Sequence, residues 1–85
     1  MKITIKEKES TRDISVKYKD LEHGETIVRL RLYIDMERKK AKFQFVNGAG
    51  EPISMHTNDR LGYKDFDAVS LLFQTAHNEI KKLDN

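Results

Sequence analysis

Apolar residues recur at every second position through the first two-thirds of this chain, and at every third or fourth position after Asp65. That one change of period confines the fold to a run of strands followed by a single helix. Ile3 and Ile5 alternate with Lys2, Thr4, Lys6 and Lys8. Glu9-Ser10-Thr11-Arg12 is polar and turn-like, after which Ile14, Val16 and Tyr18 alternate with Ser15, Lys17 and Lys19. A turn at Glu22-His23-Gly24 leads into the most regular strand. It carries Val28, Leu30, Leu32 and Ile34 on one side and Arg29, Arg31 and Tyr33 on the other. β-Branched and aromatic residues in strict alternation mark a strand with one buried face. Glu37-Arg38-Lys39-Lys40 reads as a hairpin tip, beyond which Ala41, Phe43 and Phe45 point inward and Lys42 and Gln44 outward. Asn47-Gly48-Ala49-Gly50 is the clearest turn in the chain. A short fifth strand from Ile53 to Met55, or a little beyond, follows Pro52, whose missing N–H suits a strand start or an edge.

Phe66, Val69, Leu72, Phe73, Ala76, Ile80 and Leu83 share one helical stripe. Their spacing predicts a helix over about 64–83. Asp65 and Asp67 near its start and Lys81 and Lys82 near its end complement the helix dipole. Leu71 falls off the stripe, roughly opposite Phe66 and Val69. Short turns make neighbouring strands antiparallel, and the helix has only the apolar sheet face to bury itself against. The expected fold is therefore α+β and two-layered. An antiparallel sheet of four to five strands, over about 2–57 in a β-β-β-β-(β)-α meander, carries one C-terminal helix on one face. The 85 residues form a single domain, 1–85.

A helix with its side chains covers about 10–12 Å, whereas five strands about 4.8 Å apart span roughly 20 Å. Part of the inward face is thus expected to stay uncovered, with Ile3, Ile5 and Tyr18, or Ile53 and Met55, as the candidates. Curl of the sheet, packing of Leu61 and Tyr63, or a homodimer formed through an edge strand or the bare sheet would each cover it.

The function classes narrow by exclusion. The chain has no cysteine, so disulfides and thiolate metal sites are out. The alternating start Met1-Lys2-Ile3-Thr4-Ile5-Lys6 has no signal-peptide core. The longest apolar-looking stretch, 68–73, is interrupted by Ser70 and far too short to span a bilayer. The default expectation is a cytoplasmic protein with no membrane partner. His23, His56 and His77 lack ligand spacing. Ser10, Ser15, Ser54 and Ser70 have no nucleophile-elbow context. Gly48-Ala49-Gly50 runs into Glu51-Pro52 rather than the Lys-Ser/Thr of a phosphate loop. No catalytic residue, metal or cofactor is expected. Glu7 is the one acid whose register points inward, at a strand end prone to fraying.

What remains is one surface. A net charge of +2 is too small to argue for nucleic acid by itself, so distribution has to carry the case. The outward positions Lys2, Thr4, Lys6, Lys8, Ser15, Lys17, Lys19, Arg29, Arg31, Tyr33, Lys42 and Gln44 include eight basic residues and no acid. The acids, Asp13 and Glu25 among them, are expected at strand ends, in turns and on the helix. The leading expectation is a non-enzymatic binding module whose open sheet face takes single-stranded nucleic acid through Lys6, Lys17, Lys19, Arg29, Arg31, Tyr33 and Lys42. The alternative is a protein-interaction or inhibitory, regulatory module that binds a protein partner through a sheet edge, the hairpin tip or the back of the helix.

Overall fold

A computed structural model of the chain describes residues 1–20, 24–54 and 60–84. Four strands, β1 (Lys2–Glu7), β2 (Thr11–Asp20), β3 (Gly24–Asp35) and β4 (Lys40–Phe45), form an antiparallel sheet in sequence order. One helix, α1 (Tyr63–Lys81), packs on it and ends in a 3₁₀ turn, Lys82–Asp84. The two-layer α+β architecture is the expected one. Among the described residues no fifth strand forms: Pro52 makes a single bridge to Val46, and Ile53 and Ser54 continue without pairing as a strand. The rest of that expected strand, Met55 and beyond, lies outside the described residues, as do Glu22 and His23 of the expected turn.

Register follows from the apolar alternation. Ile3 faces Val16 and Ile5 faces Ile14; Ile14 faces Leu30 and Val16 faces Val28; Leu30 faces Phe45 and Leu32 faces Phe43. A slip of one residue would turn each of these sets to solvent, which is why the pairing is specific. One correction concerns the β1–β2 connection. β2 begins at Thr11, so Arg12 belongs to the strand rather than to a turn, and it lies buried at 7% exposure on the helix side.

The helix is aligned on β2 by two polar contacts around an apolar centre. At one end the Tyr18 hydroxyl donates to Asp65 Oδ1 at 2.5 Å. At the other, Arg12 Nε lies 3.6 Å from Glu79 Oε1. Tyr18 to Arg12 is six residues of strand, about 20 Å; Asp65 to Glu79 is fourteen residues of helix, about 21 Å. The two rises match, so α1 runs antiparallel to β2 with both clamps closed. Between them Ile14, Val16, Leu30 and Leu72 are fully buried. Small Ala68 and Ala76 let the helix approach closely.

This placement rotates the helix from the stripe read in the sequence. The buried residues are Ala68, Leu72, Thr75, Ala76 and Glu79, while Phe66 and Phe73 lie exposed on a flank. Leu71, read as off the stripe, packs half-buried against the core. The two polar members are buried because their groups are satisfied. Thr75 Oγ1 donates to the Leu71 carbonyl at 2.7 Å. Glu79 also takes Lys82 Nζ at 2.6 Å. Arg12 donates further to the Lys8 and Thr11 carbonyls and pairs with Glu7 at 3.1 Å. Glu7 is therefore an ion-pair partner at the exposed rim of this cluster, rather than an idle strand end. Phe73 meets Phe43 and Phe45 edge-on, with centroids 5.4 and 5.9 Å apart.

A single helix covers two strands. β2 and β3 supply most of the core, every residue of β1 is exposed, and only Phe45 of β4 is buried. Ile3 and Ile5 are each 40% exposed, as the width argument anticipates, whereas Tyr18 is buried beneath the helix N-terminus.

Leu72→Ala should therefore cost about 2–5 kcal/mol in urea unfolding, and Ile3→Ala less than half of that. Tyr18 gives a pH signature. Burial, then the Asp65 hydrogen bond, raise its phenol above the ordinary value of 10.0. A raised folded value means this stability is complete below about pH 10 and is lost as pH climbs further. Tyr18→Phe should cost about 1 kcal/mol at neutral pH and flatten the alkaline decline in unfolding midpoint.

Candidate nucleic-acid interface

Because α1 takes one face of the sheet, the pleat leaves the alternate residues on a face that no helix covers. Cross-strand rows define it. One row is Lys2, Lys17 and Ile27; the next is Thr4, Ser15 and Arg29; the third is Lys6, Asp13, Arg31 and Gln44; the fourth is Thr11, Tyr33 and Lys42. Lys19 and Glu25 face each other at one end, and Asp35 and Lys40 at the other. All seven residues expected at the interface, Lys6, Lys17, Lys19, Arg29, Arg31, Tyr33 and Lys42, lie on this face. Lys8, counted with them as outward, lies beyond the end of β1.

The face is less uniformly basic than the alternation suggested. Asp13 lies on it within β2 rather than at a turn, and Glu25 and Asp35 lie on it at the two ends of β3. Arg31 Nε binds Asp13 Oδ1 at 2.5 Å and its Nη2 reaches Oδ2 at 3.4 Å, a two-pronged contact with both side chains about one-third exposed. Asp13 first, with a smaller contribution from Tyr33, holds this guanidinium even more firmly protonated than usual. Lys17 Nζ pairs with Glu25 at 2.9 Å, and both side chains stay largely in water, so that pair is weak. Lys6, Lys19, Arg29 and Lys42 make no ion pair among the described residues. These four, with Lys2 and Lys40 at the ends of the face, are the cations there without an ion pair among the described residues. Tyr33 is 42% exposed beside Lys42 and offers its ring for stacking. Hydrophobic Ile27, 44% exposed, also opens onto this face.

The seven residues are not one cluster. Lys6, Arg29 and Arg31 share a concavity of ≈ 210 Å³ with Thr4, Asp13 and Ser15. Lys17 and Lys19 border a second hollow at the end of the sheet near Tyr63, and Tyr33 and Lys42 a third by the β3–β4 hairpin.

The wall of the first concavity was missed in the sequence. The 47–51 turn does not only reverse the chain; it folds over the open face and buries Val46 at 6% exposure. Asn47 organises it: the side-chain oxygen accepts from the Ala49 and Glu51 amides at 2.9 and 3.0 Å. The Asn47 amide donates to the Glu51 carbonyl at 2.9 Å. Gly50 has φ +81°, and a Cβ there would lie 3.3 Å from Arg31 Nη2. The absent side chain lets the turn close onto the arginine.

His77 is exposed on the helix, while His23 and His56 lie outside the described residues. Among the described residues no group of three His, Cys, Asp or Glu side chains is placed to hold a metal ion. No helix there is long and apolar enough to cross a membrane. Comparison with protein-family models, curated proteins and solved structures finds no match.

The two glycines of the turn should respond differently to a methyl group. Gly50→Ala should lower stability by about 1–2 kcal/mol, through the left-handed backbone and the displaced Arg31. Gly48→Ala, with open space around it, should be neutral or stabilising by up to about 1 kcal/mol. Paired thermal unfolding curves check the contrast.

Proposed function

We propose that the open face of the sheet binds single-stranded nucleic acid and that the chain is a non-enzymatic binding module. The observation that carries this reading is the group Lys6, Arg29 and Lys42, none in an ion pair among the described residues, on the same face away from the helix as exposed Tyr33, which Lys42 faces directly. Lys and Arg in such an array replace condensed counterions along a phosphate backbone, and the released ions drive binding. A phenol ring among them stacks on an unpaired base with little regard to its identity. A duplex presents stacked, paired bases that Tyr33 cannot reach. Single strands are accordingly the favoured ligand.

A second reading rests on a different surface. Phe43, Phe66 and Phe73 are 50%, 60% and 38% exposed along the β4 side of the helix, and exposed aromatic rings of this kind mark protein contacts. It makes the chain a protein-interaction or regulatory module and leaves the lysines of the open face as solvated surface.

A fluorescence-anisotropy titration with labelled single-stranded DNA, single-stranded RNA and duplex DNA separates the two. With three phosphate contacts, single-strand affinity should fall about 20-fold between about 50 and 200 mM salt. Tyr33→Ala should weaken it by about 1–3 kcal/mol. Tighter binding to duplex overturns the single-strand preference, and no binding to any of the three at the lower salt overturns the reading in favour of the aromatic flank.

A further inference from the structure

We infer that the concavity under the 47–51 turn is the seat of one phosphate group, with Lys6 and Arg29 as its charged contacts. The inference rests on the single-strand reading of the open face and names the part of that face that fixes the backbone. Two rows meet here, Thr4–Ser15–Arg29 and Lys6–Asp13–Arg31. Lys6 and Arg29 occupy opposite corners of the patch, on a Cα diagonal of about 12 Å, and both line the same hollow. Ser15 lies on the strand between them and Thr4 completes the corner next to Lys6, so the floor supplies two hydroxyl donors.

The one acid of the site does not repel an incoming anion, because both its oxygens are held by Arg31. That pair leaves the hollow with two positive charges in excess, Lys6 and Arg29. Arg31 is a positioning residue: Asp13 holds its fork from below, and Gly50 closes against it from the turn. The hollow of ≈ 210 Å³ is much larger than the 10–15 Å³ or so that a single water needs. It therefore admits a tetrahedral anion with part of its ester. A guanidinium takes two phosphate oxygens at once and an ammonium adds a point charge. The next row on the β4 side holds Tyr33 and Lys42, so a strand seated here lays its neighbouring nucleotide beside the exposed ring. The other two hollows also hold more cations than acids, but neither holds an unpaired guanidinium: the cations of one are lysines alone, with Lys17 paired to Glu25, and in the other Arg38 lies 3.9 Å from Asp35.

The test is an NMR titration of the ¹⁵N-labelled full chain with inorganic phosphate, with a nucleoside monophosphate and with a single-stranded oligonucleotide. It is followed by salt-dependent binding of the oligonucleotide to Lys6→Ala, Arg29→Ala and Arg29→Lys. All three probes should move the Ser15, Gly48 and Gly50 amides and the Arg29 Nε–H. Each alanine variant should flatten the logarithmic salt slope by about 0.7, and Arg29→Lys should restore most of the slope but not the affinity. If the oligonucleotide binds while these signals stay still and the slopes do not change, the seat is wrong and the single-strand reading stands. If phosphate moves the signals but no oligonucleotide binds, the seat stands as a site for a free phosphate compound and the single-strand reading falls. If no probe moves them, the seat is overturned.

Discussion

The match in length between six residues of strand and fourteen of helix is the constraint on which the rest of this structure depends. Tyr18–Asp65 and Arg12–Glu79 lie at the two ends of that match, and α1 can satisfy both only by lying along β2. Between the clamps, directionless apolar packing has one arrangement left, with Leu72 and Ala68 against Ile14, Val16 and Leu30. The hydrophobic contacts supply most of the stabilisation, and the polar ends select the rotation and direction of the helix. Asp65 also accepts the Gly62 amide at 2.8 Å, so the residue that stops the helix N-terminus from fraying is the one that docks it.

Fixing the helix on one face decides what the other face has to be. A sheet covered on both sides would need apolar residues at all positions; this one needs polar ones at every second position, and the chain uses Lys, Arg, Ser, Thr and Tyr there. Asp13 and Glu25 temper the array without neutralising it. The 47–51 turn adds shape to what would otherwise be a flat charged surface, because Val46 anchors it and Gly50 lets it close.

Much of this was legible in the residue pattern, and the misreadings share a physical cause. Alternation identified the two faces of all four strands, since a period of two leaves no freedom once one side is apolar. It failed where apolar residues stop marking the strand. Thr11 and Arg12 look like the end of a turn because neither is hydrophobic, and Asp13 reads as one of the acids outside the basic face, yet each is in register, and Asp13 has the parity of Ser15 and Lys17. The helix was rotated for the same reason. Phe66 and Phe73 carry more apolar area than Thr75 and Glu79, but the latter bury their polar groups in bonds that depend on residues far away in the chain. The alternation that turns Phe45 inward turns Val46 outward, but the fold of the 47–51 turn over that side of the sheet depends on cross-strand contacts that no local signal carries.

The clamps also bear on the order in which the chain organises itself. Tyr18 and Asp65 are 47 residues apart, whereas β2 and β3 are separated by three residues between Asp20 and Gly24. Loop-closure entropy rises with the logarithm of the intervening length, so the β2–β3 hairpin has the lower entropic barrier. Docking the helix needs both clamp partners on β2 already held in line. The long hairpin thus acts as a ruler against which the helix is measured: a helix paired one turn out of step closes neither clamp.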